Sequence, residues 1–247
     1  MHISTIFFDL GSTLVYSRDP WLPIYKRADR ALLNALTQAG YPLDPAAIQG
    51  ELGTFILTYY FHLGKQNIEP TTFATLTGIL KANGFPDCPA EVVRGALAAL
   101  YSVTQANWYR EDDAIPTLEK LTSKGYTLGL ISNTSNDMNV QGILDRQGLR
   151  PFFKCIVTSA GLGIRKPEAA IFQAALDELH VTPAACAMVG DLLSADVLGA
   201  NRMGIYSIWI TRRTEIPDDG ELPIQPQAVI TALDQLPGLL ADLENED

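Results

Sequence analysis

The stretch Ile6-Phe7-Phe8-Asp9-Leu10-Gly11-Ser12-Thr13-Leu14 constrains this chain more than any other. Three apolar residues run straight into one carboxylate, and a Gly-Ser-Thr turn follows at once. A buried strand that ends in an acid and a tight turn projects that acid from the carboxyl edge of a sheet. In open α/β sheets, ligands bind at that edge. Taken alone, the stretch fits equally well a strand whose Asp caps a turn. The rest of the chain separates the two readings.

At 247 residues the chain can bury a sizeable core, as one large domain or as a domain that carries an insertion. Hydrophobic residues make up 47% and charged residues 19%, the balance of a folded globular protein rather than a disordered one. Eighteen basic against 28 acidic side chains give a formal charge of −10. Such a surface repels phosphate backbones and anionic lipid, which argues against nucleic-acid and membrane partners but leaves room for a local basic pocket. Cys88, Cys155 and Cys186 lie far apart with no C-x-x-C spacing. The last two sit inside apolar strand-like runs, where a thiol behaves as a small hydrophobe. The amino terminus lacks a basic region and its apolar run is too short for a signal peptide. No apolar stretch approaches the ~20 residues that span a membrane, so a reducing, cytoplasmic setting is expected.

After Leu14 the pattern becomes helical and stays so for a long way. Helices are expected over Trp21 to Ala39, from Pro45 through Phe55, Ile56 and Tyr59, from Thr71 to Ala82, and from Pro89 to Tyr101 or beyond. Four helices with short polar turns and no strand between them form a bundle unit. From Ala114 strands alternate with helices. Strands are expected at Tyr126–Ser132, Cys155–Val157, Ala185–Val189, Tyr206–Ile210 and Ala228–Ile230, with helices from Ile115, Val140, Pro167, Ser194 and Leu233. This alternation means βαβ units and a mainly parallel, Rossmann-like sheet. The expected fold is therefore α/β: a core over 1–16 and 108–247, interrupted by an all-helical four-helix cap over 17–107. Thr214 to Pro226 reads as a surface loop, and Glu244 to Asp247 as a frayed tail.

A parallel sheet gathers its strand ends along one edge, and here those ends are polar. Asp9 ends the first strand, Ser132-Asn133 end the second, Arg165-Lys166-Pro167 precede a helix, and Asp191 follows Val189-Gly190 with Asp196 five residues later. Three close carboxylates repel one another unless compensated. Lys166 supplies one positive charge and a divalent cation would supply two, which makes the cluster neutral. All-oxygen ligands of this kind suit Mg²⁺, which also accepts a substrate phosphate as ligand. A carboxylate flanked by metal and lysine is well placed to attack a phosphoryl group, because spreading charge is most of the work of phosphoryl transfer.

These four stretches, in this order and spacing, resemble the four motifs of the haloacid dehalogenase superfamily, and the helical insertion is similar to that family's C1-type cap. The resemblance covers nearly the whole chain. It implies that Asp9 is the nucleophile that forms an aspartyl-phosphate and is also a Mg²⁺ ligand. Ser132 would hydrogen-bond the phosphoryl group, with Asn133 beside it shaping the substrate pocket, and Lys166 would neutralise both. Asp191 would ligate the metal, and Asp196 would hold a metal-bound water or Lys166.

One position departs from the pattern. Phosphatases of that family carry a second Asp two residues after the nucleophile, as general acid and base; here that residue is Gly11. Its carbonyl can still ligate Mg²⁺, but no side chain moves a proton, a loss of about 10²–10⁴-fold in such reactions. The dehalogenase branch has an aromatic residue there and the phosphonatase branch a small one with a cap lysine; Lys26, Lys65 and Lys81 read instead as solvated charges. The expected function is a Mg²⁺-dependent phosphatase of a small phosphorylated metabolite, slow or dependent on a good leaving group such as an acyl or aryl phosphate. A weakened binding protein of the same fold and a haloacid dehalogenase are the alternatives. Monomer and homodimer are both compatible with the sequence. The run Tyr59-Tyr60-Phe61-His62 reads as bundle core or as a wall of the pocket.

Overall fold

The computed structural model describes residues 2–47, 68–69, 71–214 and 223–245. Among the described residues the strands are β1 (Thr5–Phe8), β2 (Val15–Ser17), β3 (Trp108–Arg110), β4 (Thr127–Ser132), β5 (Cys155–Thr158), β6 (Cys186–Gly190), β7 (Tyr206–Ile210) and β8 (Ala228–Ile230). The described helices are α1 (Trp21–Gln38), α2 (Thr72–Ala82), α3 (Ala90–Gln105), α4 (Ala114–Ser123), α5 (Asp137–Arg146), α6 (Ser159–Leu162), α7 (Ala169–Leu179), α8 (Leu198–Met203) and α9 (Leu236–Asn245).

Six strands form one sheet in the order β5-β4-β1-β6-β7-β8, and every pairing in it is parallel. Strand side chains alternate between faces, and both faces are covered. Ile6 and Phe8 point into a cluster with Leu118, Leu121, Val140 and Leu236. Phe7 points the other way, toward Ile171, Phe172 and Met188. Burial on both sides explains why these strands read as continuous apolar runs. Cys155 and Cys186 lie within the second cluster, and burial pushes both thiols up to about 12, so they behave as hydrophobes.

The segment between β2 and β3 is helical among its described residues, with a core of its own built from Leu32, Leu36, Leu76, Leu80, Leu97 and Leu100. Residues 45–47 are helical where the second helix is expected to start. Its continuation through Phe55, Ile56 and Tyr59, the run Tyr59-Tyr60-Phe61-His62, and Lys65 lie outside the described residues.

Where the chain leaves and re-enters the sheet, β2 and β3 pair antiparallel as a short ribbon. Three-residue strands carry too little alternation to be visible in a sequence. Beside the ribbon, the buried Asn107 donates to the Asp19 carbonyl and accepts from the Asp19 N–H, both at 3.0 Å. A second tie comes from the middle of the insertion. Glu69 N–H donates to the Gly163 carbonyl at 3.0 Å, Ser159 Oγ donates to Glu69 Oε2 at 2.6 Å, and Thr72 N–H donates to the Ser135 carbonyl at 3.0 Å.

The chain's end differs from expectation. A 3₁₀ turn over Leu233–Gln235 precedes α9, which continues to Asn245, and Tyr126 Oη donates to Glu244 Oε1 at 2.9 Å in its last turn. Pro167 lies before rather than in its helix, since Glu168 has extended backbone and α7 starts at Ala169.

Asn107→Ala removes both bonds to Asp19 and leaves two peptide groups without their partner. Chemical denaturation is expected to show a loss of about 1–3 kcal/mol.

Candidate active site

β1 lies between β4 and β6, so the strand order reverses beside it, and the carboxyl ends of these strands open onto one cavity. Asp9 directly follows β1, and its N–H still donates to the Val189 carbonyl at 2.9 Å, which pins the residue to β6 as the chain turns. Asp191 directly follows β6. Its carbonyl accepts from Trp209 Nε1 at 2.8 Å, so a buried indole fixes the main chain there. Asp196 lies in a π-helical turn, Leu193–Val197, a local widening of the helix that often marks functional sites. The turn swings its carboxylate back toward β6, where Oδ2 accepts from the Leu192 N–H at 3.0 Å. The same carboxylate fills the space in front of Gly190, and a Cβ there would collide with it.

Lys166 joins these elements. Only 3% of it is exposed, and its Nζ lies 2.6 Å from both Asp9 Oδ1 and Asp196 Oδ1 and donates to the Ile131 carbonyl at 2.7 Å. Its main chain is held by Asn133, whose Oδ1 accepts from the Lys166 N–H at 2.8 Å and whose Nδ2 donates to its carbonyl at 3.1 Å. Asn133, expected as a pocket residue beside Ser132, thus also positions the lysine. Ser132 is buried at the end of β4 and lines the same cavity.

Carboxylate oxygens of Asp9, Asp191 and Asp196 lie within 4.8 Å of one another. Three carboxylates and one ammonium leave two negative charges uncompensated, in a donor set of oxygens alone. That fits a hard divalent cation. Without a cation the cluster resists ionisation. Burial, and then the neighbouring Asp196, raise the Asp9 carboxyl to about 6 even though Lys166 opposes the shift. Burial, with Asp9 and Asp196, raises Asp191 to about 8. Burial also disfavours the Lys166 ammonium, but Asp196 and Asp9 outweigh it and hold the amine above its ordinary value.

The cavity measures about 730 Å³. Asp9, Gly11, Ser132, Asn133, Lys166, Asp191 and Asp196 all line it, so the structure brings together these seven residues expected from the sequence. Lys26 and Lys81 are exposed and do not line it. Three other lining residues, Trp21, Tyr25 and Trp108, carried no signal in the sequence and form an aromatic wall, while Arg165, next to Lys166, also lines the cavity and is paired at 3.8 Å with Glu69.

A family model described as a haloacid dehalogenase-like hydrolase matches residues 3–204. The chain belongs to that family. Like its relatives, then, it is a hydrolase. A glyceraldehyde 3-phosphate phosphatase from Pyrococcus furiosus is 32% identical over 99% of this chain and 95% of its own length. Among solved structures, a 2-haloacid dehalogenase from Pseudomonas syringae pv. Tomato DC3000 is 27% identical with a TM-score of 0.70, covering 98% of this chain and 99% of that one. A haloacid dehalogenase-family phosphatase from Thermococcus onnurineus, 23% identical, shares the fold with a TM-score of 0.63 over 96% of this chain and 98% of its own. Among the described residues no helix is long and apolar enough to cross a membrane.

The raised carboxyls give a pH dependence of definite sign. A carboxyl whose folded value lies above its unfolded one favours folding at low pH, and that advantage is lost as pH rises through the folded value. The metal-free protein should therefore lose melting temperature between about pH 4, where the unfolded carboxyls ionise, and about pH 8, by which Asp9 and then Asp191 have ionised in the folded state. A divalent cation must displace those protons at low pH, so saturating Mg²⁺ should raise the melting temperature more at about pH 8 than at about pH 5. Thermal melts with Mg²⁺ and with EDTA check both.

Proposed function

We propose that this hydrolase is a Mg²⁺-dependent phosphatase of a small phosphorylated metabolite and works through an aspartyl-phosphate on Asp9. The observation that carries the reading is the buried Lys166 ammonium held between Asp9 and Asp196, with Asp191 as a further carboxylate beside it. An ammonium already paired with two carboxylates does not neutralise a third, so the set calls for a cation. Mg²⁺, with Asp9, Asp191, the Gly11 carbonyl and Asp196 through a water as its holders, would spread the charge of the transferring phosphoryl group.

The chain's own residues supply the rest. Lys166 holds Asp9 ionised and oriented, and its positive charge offsets that of the incoming phosphate. Ser132 Oγ can donate to a phosphoryl oxygen. Asn133 keeps the lysine main chain in place, so its loss acts through Lys166. Gly11 offers no proton to the leaving group and no base to the attacking water. Turnover is accordingly slow for poor leaving groups, and the phosphoenzyme is long-lived. The phosphatase-named relative at 32% identity supports phosphate chemistry.

A second reading, carbon–halogen hydrolysis, draws on Gly11, since a halide needs no acid, and on the similarity to a 2-haloacid dehalogenase. It leaves Asp191 without a task.

Phosphate release from a panel of sugar, acyl and aryl phosphates, with Mg²⁺ and with EDTA, tests the proposal. Mg²⁺-dependent release is expected that Asp9→Asn lowers by roughly 10⁴-fold or more. Halide release from 2-haloacids that persists in EDTA, with no phosphate release from the panel, would establish the second reading instead.

A further inference from the structure

The position that lacks a proton donor is covered by an indole. The six-membered ring of Trp108 lies 3.7 and 3.9 Å from where a Cβ on Gly11 would stand. The ring therefore flanks the turn that follows the nucleophile, at a distance where a Cβ on residue 11 would make ordinary van der Waals contact with it. Trp108 does not stand alone. Its ring is 5.4 Å from that of Trp21, which in turn stacks on Tyr25 at 5.2 Å with the planes 16° apart. Leu100, Tyr101 and Ile143 extend the apolar surface of the same cavity. A hydroxyl laid against these ring faces finds no hydrogen-bond partner on them. A flat apolar group would stack on them.

Leaving-group chemistry points the same way by an independent route. With no acid at position 11, the departing oxygen must leave as an anion. A phenol ionises near about 10, as the tyrosine side chain does, whereas an alkanol, like water, ionises several units higher. Only the first departs readily without a proton.

We propose that the substrate's leaving group is an aromatic ring bearing the phosphorylated hydroxyl, seated against Trp108 and Trp21. The proposal rests on the phosphatase reading above. In the first step an Asp9 carboxylate oxygen bonds to phosphorus while the phosphorus–aryl oxygen bond breaks; the electron pair leaves on the aryl oxide, which takes a proton from solvent. Water then attacks phosphorus, the bond to Asp9 breaks, and orthophosphate and the free Asp9 carboxylate result. Proton donation is missing at position 11, and the neighbouring Trp108 ring supplies recognition of the departing aryl group instead.

Binding and turnover test this separately. Calorimetry with Mg²⁺ present would compare phenylphosphonate with methylphosphonate, neither of which is hydrolysed. The wild type is expected to prefer the phenyl compound by at least about tenfold. Trp108→Ala and, independently, Trp21→Ala should each cut that preference about threefold or more while leaving methylphosphonate affinity unchanged, and Trp108→Phe should retain it. The Trp21 variant keeps the test decisive should Trp108→Ala fail to fold. In turnover, kcat/KM for phenyl phosphate should exceed that for glyceraldehyde 3-phosphate by about a hundredfold or more. Equal affinity for the two phosphonates, a preference that neither alanine variant disturbs, or equal turnover of the two phosphates would each overturn the aryl assignment and leave the phosphatase reading intact. Failure of both phosphonates to bind, with no phosphate released from either ester, would overturn both.

Discussion

The structure depends on a lysine ammonium taken out of water. An isolated buried ammonium is costly by several kcal/mol, and it is tolerated only where carboxylates and carbonyls surround it. Asp9, Asp196 and the Ile131 carbonyl do so, each within 2.7 Å of Lys166 Nζ. That arrangement requires β1, β4, the loop before α7 and the π turn after β6 to meet at one point. Gly190 gives the Asp196 carboxylate its space, and Asn133 fixes the lysine main chain from β4's end. The sheet order, with β1 between β4 and β6, is what makes such a meeting possible. The site's excess negative charge follows directly, because one lysine is shared among three acids.

Much of this was legible in the chain itself. Each core strand is an apolar run that stops abruptly at a polar residue, so the strand and its site residue announce each other, as at Phe8–Asp9, Ile131–Ser132 and Gly190–Asp191. Parallel pairing then brings distant residues to one edge without further information. Contacts that depend on side-chain direction were not legible. The tie between Glu69 and Ser159 joins residues 90 apart, and nothing local at either position predicts it. The β2–β3 ribbon is too short for periodicity to show. Asn133 reads as a pocket residue beside Ser132, and only the structure gives its amide to Lys166.

Position 11 shows the difference most clearly. The sequence reveals a missing carboxylate, an absence with several explanations. The structure adds that Trp108, 97 positions further on, lies against that glycine. Two features that look unrelated along the chain, a lost acid and a scattered set of aromatic residues, line one cavity together with Asp9. Relatives named as phosphatases and as dehalogenases share this framework. In this chain the cavity that holds the nucleophile is lined by Trp21, Tyr25 and Trp108 as well.

The central claim is that Asp9 is the group that becomes phosphorylated. Mixing the Mg²⁺-loaded enzyme with phenyl phosphate, quenching in acid during steady turnover and mapping peptides by mass spectrometry tests it most directly. A phosphoryl group on the peptide containing Asp9, accumulating because Gly11 supplies no base for its hydrolysis and absent in Asp9→Asn, is the predicted result. Phosphate release with no labelled peptide, or with the label on another residue, would contradict it.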